Sequence, residues 1–496
     1  MSDQIHFGTD GWRARIGEGY TFANLRRVAA AAARYYRDEC GGAEHGIVIG
    51  HDQRFLAREM AEAAAVVVAA HGVPVHLTRS ATPTPVISFS VGARGACGAI
   101  NLTASHNPPT DLGFKVRDKN GAALAPDALA MLEARIPAPG EAVADDVPSF
   151  EAAVADGRIQ IFDPAPAYRA YVAERVDLGR IADAGLRVAY DPMWGAGIGW
   201  LEWLLGPGAQ TQLMTIHGER NPSFPEMRRP EPIPPNTDAL ARHVRATGAD
   251  IGIANDGDAD RVGAVDEHGN FINQLQVYGL LAYWLLEVRG ERGAIVKTLS
   301  TTSMLDVLGQ VYGVPVHETG VGFKYVGPKM LETDAMIGGE ESGGFAFRGL
   351  PERDGLLVAL ALMELMLETG KTPSELIRAL YDTVGAEWYY DRDDVRFDAA
   401  ARQEIQQRLA EAAPTELAGL PVTRIDRTEG HKFWLPDDGW LLIRFSGTEP
   451  LMRVYTETTH GHLVRPLLNA GLALAGLGPQ GFAAMEAATA KNGAAG

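Results

Sequence analysis

Short apolar segments alternate with longer helix-like segments over the first two thirds of the chain. The apolar run Gly46–Gly50 predicts a buried strand, and the alanine-rich run Phe55–His71 that follows predicts a helix. Val73–Leu77 and Gly98–Thr103 predict two further strands. Strands that alternate with helices of this length are typical of α/β units built around mixed or parallel sheets.

The same alternation continues through the middle of the chain and changes near its end. The further predicted strands are Leu186–Asp191, Thr211–Ile216, Asp250–Ala254 and Ala294–Leu299, and the further predicted helices are Gly195–Leu205, Asn236–Thr247, Gln274–Val288 and Thr302–Tyr312. After about Thr383 the predicted strands are Glu387–Phe397, Thr423–Leu435, Trp440–Phe445 and Arg453–Glu457, with helices at Ala399–Ala413 and His462–Leu474. This second pattern indicates a smaller α+β domain at the C-terminus.

The composition excludes several classes of function. The 63 acidic residues outnumber the 45 basic residues, and the net charge of −18 argues against a nucleic-acid binder and against docking on an anionic membrane. Two cysteines cannot form a disulfide framework, which fits a reducing compartment. No apolar run approaches the roughly 20 residues that span a bilayer, and the first residues lack the features of a signal peptide. We expect a soluble, cytoplasmic protein of three or four domains, given its 496 residues.

The serine loop, Thr103–Pro109, follows the strand predicted at Gly98–Thr103. Open α/β sheets bind ligands at the carboxyl ends of their strands, so Ser105 could be presented to a cleft there. His106 is its neighbour in the sequence, and Lys115 follows shortly afterwards. The alternative is a polar turn, because Asn-Pro sequences often form one.

Three aspartates alternate with other residues in the aspartate loop, Asn255–Arg261. Asp256, Asp258 and Asp260 project to one side if the chain is extended, and like charges so close repel unless a cation neutralises them. Oxygen ligands favour Mg²⁺, Mn²⁺ or Ca²⁺ over zinc. An EF-hand is excluded, because Arg261 stands where that loop needs glycine and the flanks resemble strands. The remaining alternative is three solvated aspartates in a turn.

Two further loops carry residues suited to a sugar phosphate. In the glutamate loop, Gly338–Gly344, glycines let the backbone approach a ligand, and Glu340 and Ser342 can bond to neighbouring hydroxyl groups. The arginine loop, Arg444–Pro450, sets hydroxyl residues around a glycine at the end of a strand, with Arg453 beyond it. Backbone N–H groups and a guanidinium together form a phosphate cradle. The alternatives are ordinary turns, one rich in glycine and one a tight hairpin with a surface arginine.

Together the four loops favour one chemistry. They lie about 80–150 residues apart, a spacing typical of separate domains, so each domain could contribute one loop to a shared cleft. A serine, a cation site and a phosphate grip indicate phosphoryl transfer through a phosphoserine. The side chains that could make this cleft positive within an acidic protein are Arg13, Lys115, Arg261, Arg444 and Arg453.

At this point the sequence closely resembles the α-D-phosphohexomutase family, the phosphoglucomutases and phosphomannomutases. The resemblance runs from Phe7–Arg13 to Arg444–Pro450, with all four signature loops in order. It implies an α/β fold of four domains around a central cleft, three related α/β units with mixed sheets and a smaller C-terminal α+β domain. The predicted domains are 1–150 with the serine loop, 151–268 with the aspartate loop, 269–383 with the glutamate loop and 384–478 with the arginine loop, followed by a flexible tail at 479–496.

The resemblance also implies roles for individual residues. Ser105 would be the phosphoserine and would bind Mg²⁺ together with Asp256, Asp258 and Asp260. Lys115 would be the candidate acid or base, and as a base it would need a lowered pKa or transient help. The other residues at the reacting centre would be Arg13, His106 and Arg261. Sugar hydroxyls would be held by Glu340 and Ser342, and the non-reacting phosphate by Arg444, Ser446, Gly447, Thr448 and Arg453. Further candidates for substrate contact are Lys297 and Lys324.

The implied reaction interconverts hexose 1-phosphate and hexose 6-phosphate, with glucose 1,6-bisphosphate as activator and intermediate. Some relatives end the glutamate loop with a histidine, including bifunctional mannose/glucose enzymes and phosphoglucosamine mutases. Gly344 stands there in this chain, which favours glucose phosphates. The alternatives are a phosphomannomutase or bifunctional enzyme, a phosphoglucosamine mutase and, from other classes, a metal-dependent sugar-phosphate phosphatase or a sugar-phosphate-binding protein. We expect a monomer or a homodimer.

Overall fold

Residues 5–8, 10–144, 146–445 and 451–477 are described by the computed structural model. They divide into two units. The N-terminal unit comprises Met1–Thr301 and Tyr312–Arg378, and the C-terminal unit comprises Thr302–Val311 and Ala379–Gly496. The tail predicted at 479–496 lies outside the described residues.

The first sheet carries the serine loop. Its strands are β1 (Trp12–Arg15), β2 (Ile47–His51), β3 (Val75–Thr78), β4 (Ala99–Leu102), β5 (Asp111–Arg117) and β6 (Ile159–Phe162), in the spatial order β1-β5-β4-β2-β3-β6. The helices of this part are α1 (Phe22–Glu39), α2 (Gly42–His45), α3 (Ala57–Ala70), α4 (Thr84–Arg94), α5 (Pro126–Glu133) and α6 (Phe150–Ala155). Because β6 pairs with β3, this sheet continues past residue 150.

The second sheet carries the aspartate loop, and the third carries the glutamate loop. The second has strands β7 (Arg187–Asp191), β8 (Gln212–Thr215), β9 (Ile251–Asn255), β10 (Val262–Val265) and β11 (Phe271–Ile272), with helices α7 (Ala165–Ala173), α8 (Leu178–Asp183), α9 (Trp200–Leu205) and α10 (Asp238–Thr247). The third has strands β12 (Ile295–Thr298), β13 (Val316–Thr319), β14 (Ile337–Gly339) and β15 (Phe345–Phe347). The helices of this stretch are α11 (Gln274–Tyr283), α12 (Met304–Tyr312), α13 (Phe323–Thr333), α14 (Gly355–Thr369) and α15 (Pro373–Val384).

One strand order recurs in the three sheets of the N-terminal unit. It is β3-β2-β4-β5 in the first, β8-β7-β9-β10 in the second and β13-β12-β14-β15 in the third. In each case the last two strands pair antiparallel and the others pair parallel. The serine, aspartate and glutamate loops each join that last pair, so they occupy equivalent positions. This arrangement confirms three related α/β units with mixed sheets.

The C-terminal unit is built on an antiparallel sheet. Its strands are β16 (Tyr389–Arg396), β19 (Arg424–Asp426), β20 (His431–Trp434), β21 (Trp440–Phe445) and β22 (Leu451–Thr458), with a separate hairpin of β17 (Glu416–Leu417) and β18 (Leu420–Pro421). Helices α16 (Arg402–Glu411) and α17 (Val464–Leu474) supply apolar side chains to its core. The predicted smaller α+β domain is confirmed.

Some elements differ from the sequence prediction. Helix α9 begins at Trp200 and not at Gly195, because residues 193–199 form turns and a bend and Gly199, directly before the helix, adopts a left-handed φ of 76°. The single strand predicted at Thr423–Leu435 is interrupted by a turn between β19 and β20. Helix α1 was not predicted, although its alanine run is fully buried.

The most apolar helix, α14, lies in the interior of the N-terminal unit. Its residues from Gly355 to Met366 are buried, so the apolar run Leu356–Met363 is protein core. Within the described part of the chain, no helix combines the length and the hydrophobicity that a membrane span requires.

Candidate active site

Ser105 lies in the loop between β4 and β5 and is 1% exposed. Its backbone adopts the left-handed region at φ 51°, and its N–H donates to Thr103 Oγ1 at 2.9 Å. The hydroxyl donates to Asp256 Oδ2 at 2.9 Å, and it lies 3.4 Å from His106 Nδ1. The serine and aspartate loops, which were identified from separate motifs, therefore meet at this hydroxyl.

The three aspartates lie in the tight loop that joins β9 to β10. The flanking antiparallel strands confirm that the loop is not an EF-hand. The loop is not extended, because Ala259 has a left-handed φ of 57° and the N–H groups of Asp260 and Arg261 each donate to Asp256 Oδ1 at 3.1 Å. Asp256, Asp258 and Asp260 are fully buried, and one carboxylate oxygen from each lies within 4.8 Å of the others.

This donor set fits a divalent cation. Among the described residues, Oδ1 of Asp258 and Oδ1 of Asp260 are buried without a hydrogen-bond partner. A buried carboxylate oxygen without a partner is costly, and a metal ion is one way to satisfy it. Burial, followed by the charges of Asp260 and Asp258, raises the pKa of Asp256. A cation here would relieve that repulsion, and carboxylate oxygens suit Mg²⁺.

Thr84 and Asn101 hold one of these carboxylates in place. Thr84 Oγ1 donates to Asp258 Oδ2 at 2.5 Å, and Thr84 N–H donates to the Asp258 carbonyl at 2.9 Å. Asn101 Nδ2 in turn donates to Thr84 Oγ1 at 2.8 Å. The sequence analysis missed both residues. For Thr84 the signal was the Thr-Pro-Thr-Pro sequence ending at Pro85, whose polar side chains come after a strand, whereas Asn101 lies within β4 and belongs to no such sequence.

Lys115 projects from β5 into the same cluster and is fully buried. Its Nζ lies 2.8 Å from Asp258 Oδ2, 3.0 Å from Asp260 Oδ2 and 2.9 Å from Asp10 Oδ2. Burial alone would lower its pKa, but the three carboxylates outweigh burial and raise the pKa above its usual value. Lys115 therefore carries its proton in this environment. Its pKa is shifted upwards, whereas a lysine that acts as a base needs a lowered pKa.

Arg353 joins the aspartate cluster to the glutamate loop, and the sequence analysis missed it. Its Nη2 lies 2.7 Å from Asp260 Oδ2 and 2.8 Å from Asp10 Oδ2, and its Nη1 lies 3.5 Å from Glu340 Oε2. Asp10 also pairs with Arg117 at 3.2 Å. Asp10 and Arg353 are 343 positions apart, so no local motif connects them.

The glutamate loop is fastened to the strand that follows the aspartates. Gly343 N–H donates to the Glu340 carbonyl at 3.1 Å, and the Gly343 carbonyl accepts from Val262 N–H at 3.0 Å. Glu340 is 6% exposed, and burial raises its pKa. Ser342 lies in the same turn and is partly exposed. At Gly344 a Cβ would lie 2.2 Å from Arg353 Cδ, so only glycine fits beside that side chain as it stands.

Positively charged groups surround His106. Arg13 Nη1 donates to Asn107 Oδ1 at 2.8 Å, and Arg261 Nε lies 3.9 Å from Asp260 Oδ1. Burial, together with the charges of Arg261 and Arg13, lowers the pKa of His106 well below its usual value. The imidazole is therefore neutral at pH 7, and the same positive charges oppose its protonation.

The two remaining lysine candidates lie in the third sheet region. Lys297 is buried on β12, in register with Gly339 at the start of the glutamate loop. Lys324 is in the first turn of α13, with its Nζ 5.1 Å from the Tyr325 ring centre. The structure thus associates Lys297 with the glutamate loop more directly than Lys324.

In the C-terminal unit, Arg444 on β21 stands directly opposite Arg453 on β22. Arg453 Nε lies 3.6 Å from Asp394 Oδ2, and Arg444 Nη2 lies 4.0 Å from Glu429 Oε1. Each arginine thus lies within 4.0 Å of a carboxylate, which offsets the repulsion between like charges directly opposite on neighbouring strands. The other predicted phosphate-binding residues lie outside the described residues, namely Ser446, Gly447 and Thr448.

Comparison with known proteins identifies the family. The models for phosphoglucomutase/phosphomannomutase match alpha/beta/alpha domain I at residues 4–142, domain II at 166–269, domain III at 273–384 and the C-terminal domain at 400–467. A phosphoglucomutase/phosphomannomutase of Thermococcus kodakarensis is 32% identical over 471 residues, which cover 94% of this chain and 98% of that relative. The chain belongs to the phosphoglucomutase/phosphomannomutase family. Members of this family are mutases, so the chain is an isomerase that transfers a phosphoryl group intramolecularly.

Other relatives are named for different sugar substrates. A phosphoglucosamine mutase of Paracoccus denitrificans is 30% identical over 471 residues, covering 93% of this chain and 96% of that relative. A crystal structure from Thermus thermophilus, with a provisional phosphomannomutase assignment, superposes with a TM-score of 0.83. That protein is 34% identical, and the match covers 96% of this chain and 99% of that one. The resemblance to the phosphohexomutases and the predicted fold class are confirmed.

Proposed function

We propose that the chain interconverts hexose 1-phosphates and hexose 6-phosphates through a phosphorylated Ser105, with glucose as the preferred sugar. One observation carries this proposal. The buried Ser105 hydroxyl donates to Asp256 at 2.9 Å, beside two aspartates that each keep an unpartnered carboxylate oxygen. A hydroxyl at the edge of a carboxylate cluster is placed to carry a phosphoryl group that a bound cation would contact.

Asp256, Asp258 and Asp260 would hold Mg²⁺, which when bound supplies positive charge to the transferring phosphoryl group. The backbone N–H groups of Asp260 and Arg261 keep Asp256 turned towards Ser105. Lys115 offsets part of the negative charge of the cluster through its ion pairs with Asp258 and Asp260.

In the transfer step, a substrate hydroxyl oxygen bonds to phosphorus while the bond from phosphorus to Ser105 Oγ breaks. The hydroxyl proton must leave, and the Ser105 oxygen must be stabilised or protonated. His106 is neutral and its Nδ1 lies 3.4 Å from Ser105 Oγ, so its imidazole can hydrogen-bond the Ser105 oxygen, while its lowered pKa makes it a poor proton acceptor. Lys115 carries its proton and would act as an acid at Nζ, or as a base only after that proton has left.

Separate groups would read the rest of the substrate. Glu340 and Ser342 would bind sugar hydroxyls, with Lys297 and Lys324 as further contacts. Arg13 and Arg261 would face the reacting phosphate. The arginine loop would bind a phosphate group through Arg444, Ser446, Gly447, Thr448 and Arg453.

The sugar is the finer part of the proposal. Gly344 supports glucose, while relatives named phosphomannomutase and phosphoglucosamine mutase make mannose and glucosamine phosphates the alternatives. Purified protein with Mg²⁺ and trace glucose 1,6-bisphosphate should therefore be given one sugar 1-phosphate at a time. The corresponding 6-phosphate and inorganic phosphate are followed together, and we expect the highest kcat/KM for glucose.

The outcomes of this assay are distinct. Formation of 6-phosphate without released phosphate supports the mutase, and the relative kcat/KM values identify its sugar. Released phosphate without an isomer would favour a phosphatase, and binding without reaction would favour a sugar-phosphate-binding protein. The monomeric or homodimeric state and the cytoplasmic location remain predictions from the sequence.

A further inference from the structure

Arg54 is buried beneath the serine loop and is 1% exposed. Its Nη2 donates to the carbonyl oxygens of Ser105 at 2.6 Å and Asn107 at 2.7 Å. Its Nη1 donates to the carbonyl oxygens of Pro108 at 2.7 Å and Asp111 at 3.1 Å. One guanidinium therefore binds backbone oxygens along the whole loop that carries Ser105.

A closed ring of contacts holds Ser105 in its left-handed conformation. Its N–H donates to Thr103 Oγ1 at 2.9 Å, and Thr103 Oγ1 donates to Asp52 Oδ2 at 2.5 Å. Arg54 binds the carbonyl of Ser105, and its Nε lies 3.3 Å from Asp52 Oδ2 in an ion pair. Both peptide groups of a strained residue are thus fixed by side chains, Thr103 and Arg54, that are linked to each other through Asp52. Such strain persists only where the surroundings enforce it.

A purely structural buried arginine looks different in this unit. Arg27 is 9% exposed, and its Nε donates to the Pro137 carbonyl at 2.7 Å. Its Nη1 donates to Asn24 Oδ1 at 2.8 Å, so it joins α1 to a later loop. The carbonyl groups that Arg54 binds all belong to the serine loop or to the residue that opens β5.

We propose that Arg54 is a positioning residue for phosphoryl transfer, which fixes the Ser105 hydroxyl in its direction towards Asp256. This inference rests on the proposed function and adds a residue that does not touch the substrate. A displacement of about 1 Å at a reacting group can cost about 100-fold in rate. Loss of the planar guanidinium should therefore slow the transfer and leave substrate binding unchanged. Lysine keeps the charge but lacks the fork that binds several carbonyls at once.

The test compares Arg54→Lys with the matched control Arg27→Lys. Both variants are given Mg²⁺, glucose 1,6-bisphosphate and glucose 1-phosphate. The readouts are kcat, KM, the thermal midpoint, and the rate at which the Ser105 peptide gains a phosphate by mass spectrometry. We expect Arg54→Lys to lower kcat and the phosphorylation rate by a common factor of about 10–100, with KM within about twofold of wild type. Arg27→Lys should leave both rates unchanged even where it lowers the thermal midpoint.

Thr103→Val opens the same ring at another point and keeps Arg54. It should show the same split between kcat and KM, and the double variant should lose less than the product of the two single losses. This variant carries the test if Arg54→Lys does not fold. A folded Arg54→Lys or Thr103→Val with wild-type rates would overturn the inference, as would a parallel change in kcat and KM. A wild-type protein without mutase activity would instead overturn the proposed function.

Discussion

Replacing Thr84 by valine should weaken the binding of Mg²⁺ without touching any proposed ligand. The substitution removes the hydroxyl that donates to Asp258 Oδ2 at 2.5 Å. It keeps the backbone bond from residue 84 to the Asp258 carbonyl. The carboxylate of Asp258 would then be held less firmly in its present orientation.

The structure sets the size of this effect. A hydrogen bond to a charged group contributes about 1.5–3 kcal/mol, which corresponds to about 10- to 100-fold in affinity. Groups that orient metal ligands show losses of about the same range when they are removed. Lys115 Nζ still donates to the same carboxylate oxygen at 2.8 Å, so the carboxylate keeps one of its two restraints. We therefore expect a loss near the lower end, about tenfold.

The assay is a titration of activity against Mg²⁺ concentration at saturating substrate, together with direct calorimetric titration of Mg²⁺. Thr84→Ser is the matched control because it retains the hydroxyl. Thr84→Val should need about tenfold more Mg²⁺ and recover most of its kcat at saturation, and Thr84→Ser should stay near wild type. A folded Thr84→Val with wild-type Mg²⁺ affinity would refute the reasoning, and so would an equal loss in Thr84→Ser.

Two further predictions concern the neighbourhood of Arg353. Gly344→Ala places a Cβ 2.2 Å from Arg353 Cδ and should lower kcat/KM about tenfold or more. The control is Gly92→Ala, whose Cβ meets nothing within 4 Å and which should leave kcat/KM unchanged. Equal kcat/KM values for the two variants would contradict this prediction. Burial raises the pKa of Asp354 to about 6, so the folded state binds the proton of this carboxyl group more tightly than the unfolded chain does. The free energy of unfolding should therefore fall as pH rises from about 4 to 6, by up to about 3 kcal/mol. Asp354→Asn removes that contribution, so the thermal midpoint of the variant minus that of wild type should increase from pH 4 to pH 7. A constant difference over that range would show that Asp354 does not titrate there.

The sequence predicted the fold through its alternating segments and the site through its loops. Ser105 and the aspartates carry local signals, because each motif directly follows a strand and clusters chemically unusual groups. The structure then showed that the three N-terminal loops occupy equivalent positions in three sheets of the same strand order. Nothing in the separate motifs specified that equivalence.

The residues that sequence analysis missed act through distant contacts. Asp10 and Arg353 meet across 343 positions, and Arg54 acts on a loop 51 positions away. Their types are ordinary for surface residues, so their burial was not visible in the sequence. Helix α1 was missed, although Thr21 caps it by accepting from Asn24 N–H. The pKa of Lys115 depends on three carboxylates from two other segments of the chain. The direction of its pKa shift could therefore not be predicted from the residues next to Lys115 in the sequence.

The most direct test of the central claim is to locate the phosphate on the protein. Wild type and Ser105→Ala are incubated with Mg²⁺ and glucose 1,6-bisphosphate, and the intact mass and the proteolytic peptides are measured. The account predicts that wild type gains a single phosphate on the peptide containing Ser105. Ser105→Ala should gain none and should lose turnover while still binding sugar phosphate. Phosphate on another residue, or turnover near the wild-type rate in Ser105→Ala, would contradict the account.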